Sequence, residues 1–467
     1  MSAIKVEQLY TKCLAQGAYY IESQGEAAII DPMRDIQPYL DLIKESKVTL
    51  KYIFETHFHA DFVSGHIDLA ERTGASIIYG PSTTIPGFEA ILANDGQLFP
   101  LGQYNFEIMH TPGHTMESTC FLLKDEDKTP LAIFTGDTLF IGDVGRPDLA
   151  QHITNELTPV ILASHLFDSL RNKIMTLPDE VIIYPGHGAG SACGKNLGPE
   201  TSDTLGNQKR SNYALDPRLS KAEFTAALLD GLMPPPGYFP ENVRLNINGY
   251  KPIEDIVRQG TRQLSLAEFQ ALQQKNKAIV LDTRDAKQFA KAHIPGSINI
   301  GINGSFAIWV GTVMEDINAA LLLVVDEGKE IEVVTRLARV GYENCQGFLQ
   351  GGITTWEKAG MALAQIPSIT AQEWISKYNQ IKEFENNPQV VDVRKTTEFA
   401  EGHWPNAINL PLDYIHQELN KLNQSAHYYV HCAGGYRSMV FASIAKAKGF
   451  NVTDIQGGYS AIVNALK

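Results

Sequence analysis

Thr56-His57-Phe58-His59-Ala60-Asp61 lies one residue past the apolar run Tyr52-Ile-Phe54. Two imidazoles and a carboxylate at alternate positions, just past such a run, can face one metal pocket. Outward from this stretch, His114 in His110-Thr-Pro-Gly-His-Thr115, Asp137 in Thr135-Gly-Asp-Thr-Leu139 and His187 in Tyr184-Pro-Gly-His-Gly188 arrive in the order, and at the loop positions, that a metal site needs. Neutral imidazoles and one hard carboxylate bind a borderline divalent ion, and two histidines with one carboxylate leave coordination positions open for substrate or oxygen. A lone His-x-His is better explained by histidines packed in a core; four motifs in this order reverse that weighting.

Together these motifs resemble the metallo-β-lactamase superfamily. The resemblance implies an αββα sandwich over residues 1–230, with the metal loops at one edge. Short apolar strands such as Ala27-Ala-Ile-Ile30 and Leu131-Ala-Ile-Phe134, alternating with helical stretches, suit that α/β architecture. Hydrolases of the superfamily usually carry a histidine directly after the motif aspartate; here that position is Phe62, and the next histidine is His66. A second metal ion is therefore expected to be weak or absent. Resemblance to the mononuclear iron persulfide dioxygenases of the superfamily implies one Fe(2+) on His57, His114 and Asp137. It gives His59, Asp61 and His187 the work of orienting those ligands and hydrogen-bonding oxygen or substrate. Those dioxygenases often keep a histidine at the Phe62 position, so Phe62 weighs against two-metal hydrolysis rather than selecting iron.

The chain has 467 residues, enough for two to four domains, and 44% hydrophobic residues is ordinary for a folded protein. A formal net charge of −14 argues against nonspecific binding to nucleic acid or to an anionic membrane. No apolar run approaches the roughly 20 residues that span a bilayer, and the N-terminus lacks the basic-then-apolar layout of a signal peptide, so a cytoplasmic protein is expected. The five cysteines are odd in number, scattered and without Cys-x-x-Cys, which fits reduced thiols. Cys13 and Cys120 sit in strand-like apolar settings that predict core packing, and Cys345 reads as structural.

Around Gly231-Leu-Met-Pro-Pro-Pro-Gly237, Pro240 and Asn246-Ile-Asn-Gly249 the sequence predicts an extended linker, residues 231–262. A repeat follows. Asp282-Thr-Arg284 with Phe289, His293, Pro295 and Ile298-Asn299 matches Asp392-Val-Arg394 with Phe399, His403, Pro405 and Ile408-Asn409 at a constant offset of 392 − 282 = 110. Both copies close on Gln-Gly-Gly, at Gln350 and Gln456. Each copy resembles a rhodanese module, which implies two α/β domains with parallel sheets, residues 263–365 and 366–467.

Only the second copy carries a nucleophile. After Tyr428-Tyr-Val-His431 comes Cys432-Ala-Gly-Gly-Tyr-Arg437, where glycines let successive backbone N–H groups turn toward one sulfur. Aligned amides, the following helix N-terminus and Arg437 stabilise an anionic sulfur, so Cys432 can carry a transferable sulfur as persulfide. Four residues between Cys and Arg match the sulfurtransferase cradle; the phosphatase loop has five. The first copy reaches Asp326 at this loop position and is expected to be an inactive spacer or docking surface.

Four further residues are candidates for substrate contact. Arg146, in Gly142-Asp-Val-Gly-Arg-Pro-Asp148, resembles the Gly-Arg-x-Asp of persulfide dioxygenases, whose arginine and aspartate brace the pocket wall. Cys193, six residues after His187 in a glycine-rich loop, is placed to meet a substrate thiol. Lys209 and Arg210 are placed to hold the carboxylate or phosphate end of a glutathione or coenzyme A thiol. The whole chain resembles bacterial persulfide dioxygenase–rhodanese fusions. That resemblance implies iron-dependent oxidation of a low-molecular-weight thiol persulfide by O2 to sulfite. Cys432 would form or consume thiosulfate, within sulfide detoxification, and the family commonly forms homo-oligomers. Two other readings stay open: a glyoxalase II-like thiolester hydrolase with a binuclear metal site, and a sulfur-relay scaffold with a vestigial metal site.

Overall fold

The computed structural model describes residues 4–149, 157–232, 234–381 and 389–467. The chain divides into two compact units, residues 1–253 with 338–341, and residues 254–337 with 342–467.

In the first unit, strands β1 (Lys5–Thr11), β2 (Gln16–Ser23), β3 (Glu26–Ile30), β4 (Thr49–Glu55), β5 (Ser76–Tyr79) and β6 (Ile91–Leu92) form one six-stranded sheet in chain order. Strands β7 (Leu98–Leu101), β8 (Tyr104–His110), β9 (Thr119–Lys124), β10 (Pro130–Gly136), β11 (Ile182–Pro185) and β12 (Asp203–Thr204) form the other, in reverse order. Central strands such as β3 and β10 read as nearly continuous apolar runs because both of their faces are covered. Between the sheets lies an aromatic core that includes Tyr19, Phe54, Phe106, Phe121 and Phe134. Phe54 and Phe121 pack with centroids 4.7 Å apart, and each such burial contributes about 1.5–3 kcal/mol. On the outer faces, Tyr39 and Leu69 of helices Gln37–Ser46 and His66–Thr73 pack against the first sheet. Leu166 and Phe224 of helices Pro159–Ser169 and Lys221–Leu229 pack against the second. This is the αββα sandwich expected from the sequence. His57, His114, Asp137 and His187 each follow the end of a strand, respectively β4, β8, β10 and β11, which gathers them at one edge.

Residues 231–262 differ from the extended linker predicted above. They contain helices Phe239–Asn248 and Ile253–Gly260. Pro240 does not break the first of these because it stands in the first turn, where its missing N–H has no partner to lose. Its first part, up to residue 253, is bound into the metal unit. Asn246 donates to the carbonyls of His59 and Phe62, both at 2.8 Å, and accepts from Ser64 N at 2.9 Å. Arg34 pairs with Asp68, donates to the Lys251 carbonyl and lies 3.7 Å from the Tyr250 ring centroid. Cys13 departs from the expectation of core packing, since it lies half-buried in the turn after β1, whereas Cys120 on β9 is fully buried.

The second unit holds two five-stranded, all-parallel sheets. β13 (Gln263–Leu264), β14 (Ile279–Asp282), β15 (Ile298–Asn299), β16 (Leu321–Val324) and β17 (Cys345–Leu349) run in the order β13-β17-β16-β14-β15. β18 (Ser368–Ile369), β19 (Gln389–Asp392), β20 (Ile408–Asn409), β21 (His427–His431) and β22 (Asn451–Ile455) repeat it as β18-β22-β21-β19-β20. The repeated residues do the same work in each. Arg284 folds back in a bidentate pair on Asp282, and Arg394 does so on Asp392. Asn299 Nδ2 donates to the carbonyls of Asp282 and Arg284, as Asn409 does to those of Asp392 and Arg394. Phe289 stacks on His293 and Phe399 on His403, with centroids 3.9 Å apart in both. Among the described residues, no helix is long and apolar enough to cross a membrane.

Asn246→Ala removes three buried hydrogen bonds and leaves two carbonyls and one amide unmet, so it is expected to destabilise the first unit by about 2–4 kcal/mol. Urea unfolding followed by tryptophan-independent far-UV circular dichroism measures this; a change below about 0.5 kcal/mol would show that Asn246 does not anchor the motif loop.

Candidate metal centre and cysteine cradle

His57, His114 and Asp137 each offer a ligand atom, all within 4.8 Å of one another, and all three side chains are buried. Their tautomers follow from their neighbours. Thr56 Oγ1 gives its one proton to Asp31 Oδ2 at 2.9 Å, so at 3.0 Å from His57 Nδ1 it must accept, and Nδ1 carries the proton. The carbonyl of Arg146 likewise accepts from His114 Nδ1 at 2.8 Å. Both Nε2 atoms are left with a lone pair. His114 Nε2 and Asp137 Oδ2 lie 3.4 Å apart, buried and with no hydrogen-bond partner among the described residues. Orphaned buried acceptors of this kind, with orienting groups behind them, fit a divalent cation.

His187 holds the other carboxylate oxygen. Its Nδ1 lies 2.7 Å from Asp137 Oδ1 and its Nε2 lies 2.8 Å from Asp61 Oδ2. Burial opposes the imidazolium, yet Asp137 and Asp61 outweigh it and bring His187 up to about 10. Burial also works against the Asp137 anion, and His187 overcomes it, holding that carboxyl well below the usual range. Cys193 Sγ joins Asp61 and His187 in a second buried group. Burial, with Asp61 and Asp137 nearby, pushes its thiol well up.

His59 packs its ring on that of His57, centroids 4.2 Å apart, and directs Nε2 at Asp31 and Glu55, 3.1 and 3.3 Å from their oxygens. Burial opposes its charge, but the two carboxylates hold its pKa well above the ordinary histidine value. Phe62 covers its ring at a centroid distance of 4.3 Å. His66, the next histidine in sequence, sits 3.4 Å from Glu55 at the start of its helix. Arg146 pairs bidentately with Asp148 at 2.6 and 2.8 Å. Lys209 and Arg210 lie elsewhere. Lys209 pairs with Asp179 at 2.7 Å and donates to the Leu177 carbonyl, and Arg210 donates to Asn207 on its own helix. Among the described residues, no contact joins either cation to the metal-site side chains. Asp31, Glu55, Tyr238 and Asn246 carry no motif and were not legible as site residues; Tyr238 donates to the Asp61 carbonyl at 3.2 Å.

Cys432 follows β21 and is fully buried. Gly435 N donates to its sulfur at 3.0 Å from a left-handed conformation, φ 102°, at the start of helix Tyr436–Ala447. Gly458 must be glycine as well, because a Cβ there would meet the Cys432 carbonyl at 2.3 Å. Arg437 lies close enough to Cys432 for their charges to interact, and Glu398 clamps it with bonds of 2.6 and 2.8 Å. Cys345 is buried on β17, where burial pushes its thiol up to about 12.

Residues 12–187 match the metallo-beta-lactamase superfamily, and residues 265–359 and 377–465 match the rhodanese-like domain family. The hydroxyacylglutathione hydrolase GloC of Haemophilus influenzae is 30% identical over 216 residues, covering 42% of this chain and 90% of that protein. A metallo-beta-lactamase crystal structure from Staphylococcus aureus superposes with a TM-score of 0.65 at 31% identity, over 74% of this chain and 99% of that one. ETHE1 from Myxococcus xanthus aligns over 52% of this chain and 98% of its own, at 29% identity and a TM-score of 0.43.

Beneath the cradle, Cys432 donates to Ser438 Oγ at 3.7 Å, and Ser438 donates to buried Asp454 Oδ1 at 2.7 Å. Burial raises the Asp454 carboxyl to about 6, against the pull of Ser438. An unfolded aspartate titrates near about 3.9, so between these values the native state holds the extra proton. The contribution of Asp454 to stability is therefore most favourable below about 3.9, falls as pH rises through about 6, and amounts to a penalty of about 3 kcal/mol at neutral pH. Asp454→Asn is expected to flatten this slope and to raise the melting temperature at about pH 7.5. Calorimetric scans across pH check it, and an unchanged slope would refute the assignment.

Proposed function

Because this chain belongs to the metallo-β-lactamase superfamily and carries two rhodanese-like domains behind its metal domain, we propose that it is a persulfide dioxygenase joined to a sulfurtransferase. Its substrate is a low-molecular-weight thiol persulfide, and its products are sulfite and, through Cys432, thiosulfate. The observation that carries this reading is the division of the site. His57, His114 and Asp137 turn free ligand atoms toward one another, while Asp61 and His187, which a second ion would need, are bound to each other at 2.8 Å. Phe62 stands where a further ligand would be.

His57, His114 and Asp137 would hold the metal, ferrous iron in this reading, whose open positions bring a persulfide sulfur and O2 together. The remaining roles belong to the chain. Asp31, through Thr56, and the Arg146 carbonyl keep the His57 and His114 protons on Nδ1, away from the ligand face. His187 fixes Asp137 through Oδ1, leaving Oδ2 free. Arg146 and Asp148 stiffen the wall that also presents Cys193. At the other centre, the Cys432 thiolate attacks a sulfane sulfur, the old sulfur–sulfur bond breaks, and its electron pair leaves with the donor thiolate or sulfite. Gly435 N meets the sulfur, and Glu398 holds Arg437 in place beside it.

A second reading is favoured by the similarity to GloC, a hydroxyacylglutathione hydrolase: the metal unit cleaves thiolesters, and the rhodanese-like domains are accessory. Metal analysis of anaerobically purified protein, with O2 uptake on adding glutathione persulfide, separates the two. The dioxygenase predicts about one iron per chain and persulfide-dependent uptake. Cys432→Ser should keep that uptake and lose sulfur transfer by roughly a thousandfold or more. About two zinc ions per chain, no uptake and thiolester cleavage would overturn it in favour of the hydrolase.

A further inference from the structure

The first rhodanese-like copy has Val325, not the Asp326 expected from the sequence offset, where the second has Cys432, because Val324 pairs with Asp282 as His431 does with Asp392; yet this copy is shaped around the second copy's cysteine loop. Tyr436, four residues after Cys432, donates its hydroxyl to the Gly301 carbonyl at 2.7 Å. A Cβ on Gly304 would lie 2.4 Å from the Tyr436 ring, so this position admits only glycine while the tyrosine is seated. Asn299 N donates to Ser443 Oγ, on the helix that follows the loop, at 3.0 Å. These contacts border a cavity of about 750 Å³, walled by Gly434, Gly435 and Tyr436 of the cysteine loop, by Asp454, and by Lys287 and Lys291 of the first copy. That volume lies within the usual range for small-molecule sites, and it is ample for a tripeptide thiol.

The charges in this cavity are unevenly satisfied. Asp285, also in the wall, caps its own helix by accepting from Lys287 N at 2.8 Å, and Asp454 accepts from Ser438. Lys287 and Lys291 are exposed and have no ion-pair partner among the described residues. Four positions apart on the helix Ala286–Lys291, they project from one face, about 6 Å apart along its axis. Two unpaired ammonium groups so spaced, across a cavity from a glycine-lined backbone, match a ligand that is anionic at one end and slender at the other.

We propose that this cavity seats the low-molecular-weight thiol that exchanges sulfur with Cys432, and that Lys287 and Lys291 of the first copy hold its carboxylate or phosphate groups. This rests on the reading of Cys432 as the sulfur carrier. The thiolate of the ligand attacks the outer sulfur of the Cys432 persulfide, the inner sulfur–sulfur bond breaks, and its electron pair returns to Cys432 as thiolate. The ligand leaves as its own persulfide, with charge and electrons conserved. The first copy thus supplies a specificity-determining wall instead of serving only as a spacer.

The test uses the full-length protein and the Lys287→Glu/Lys291→Glu variant, with Lys287→Ala/Lys291→Ala as a milder partner. Sulfur transfer from thiosulfate is followed with glutathione, coenzyme A or β-mercaptoethanol as acceptor. The charge-reversed variant should raise KM about tenfold or more for the anionic acceptor that the site takes, leave kcat nearly unchanged, and leave β-mercaptoethanol unaffected. A shift with glutathione assigns carboxylate recognition, and a shift with coenzyme A assigns phosphate recognition. Unchanged KM for both, or an equal loss with all three acceptors, overturns the proposal. Calorimetric binding of S-methylglutathione and S-methyl coenzyme A, which cannot exchange sulfur, separates this from the role of Cys432. Binding lost in the variant supports the site even if the wild type transfers no sulfur, and binding absent from the wild type, or equal in both, overturns it.

Discussion

Asp31 ties the metal-ligand loop to the end of β3, and the geometry of the first unit's site depends on that tie. Its carboxylate accepts from Thr56 N at 2.8 Å and from Thr56 Oγ1 at 2.9 Å, and forms an ion pair with His59, whose Nε2 lies 3.1 Å away. Its own backbone is left-handed, φ 49°, a conformation that aspartate tolerates better than most residues but that still costs roughly 1 kcal/mol. Gln16 Nε2 donates to its carbonyl at 2.9 Å and helps to hold it there. Through Thr56 this one side chain decides which nitrogen of His57 is bare. Through His59 it draws the Nε2 of the motif's second histidine into a buried ion cluster with Glu55.

The two centres use opposite means of preparing their reactive atoms. In the metal unit, every proton position is fixed by an acceptor behind the ligand, so the ligand face is assembled from groups that have nowhere else to turn. In the cradle, the sulfur is met from the front by the Gly435 amide, and the surrounding carbonyls and glycines leave room for little else. The Asp-Arg-Asn clasp of each parallel sheet is built from residues outside the cysteine loop. The first copy therefore keeps the full sheet order and the clasp with no cysteine at the loop position.

The sequence made the architecture legible wherever one residue type has one geometric use. His57, His114, Asp137 and His187 follow strand ends in a fixed order, and the 110-residue repeat marks side chains that make the same bonds twice. Residues 231–262 depart from the expected extended linker because proline breaks a helix in its interior and not in its first turn. Pro240 occupies a first helical turn, and Asn246 has no local signal of the loop it binds some 180 residues away. Asp31, Glu55 and Ser438 act through contacts made only after folding, so no spacing announces them. Lys209 and Arg210 looked like ligand cations because composition is blind to the neighbours, Asp179 and Asn207, that already engage them.

The identical order of the two parallel sheets has a consequence for biogenesis. Each sheet admits no hairpin, so its central strands wait for the last strand to be made, and parallel sheets of this kind close slowly. Two such templates in tandem, carrying the same clasp, offer each emerging strand a wrong berth as well as a right one. Translation resolves the ambiguity by timing: the 110-residue offset corresponds to roughly 5–20 s of synthesis, during which the first sheet can fill before its counterpart leaves the ribosome. Refolding of the whole chain from denaturant lacks that delay, which makes the tandem pair a natural point for strand exchange between copies.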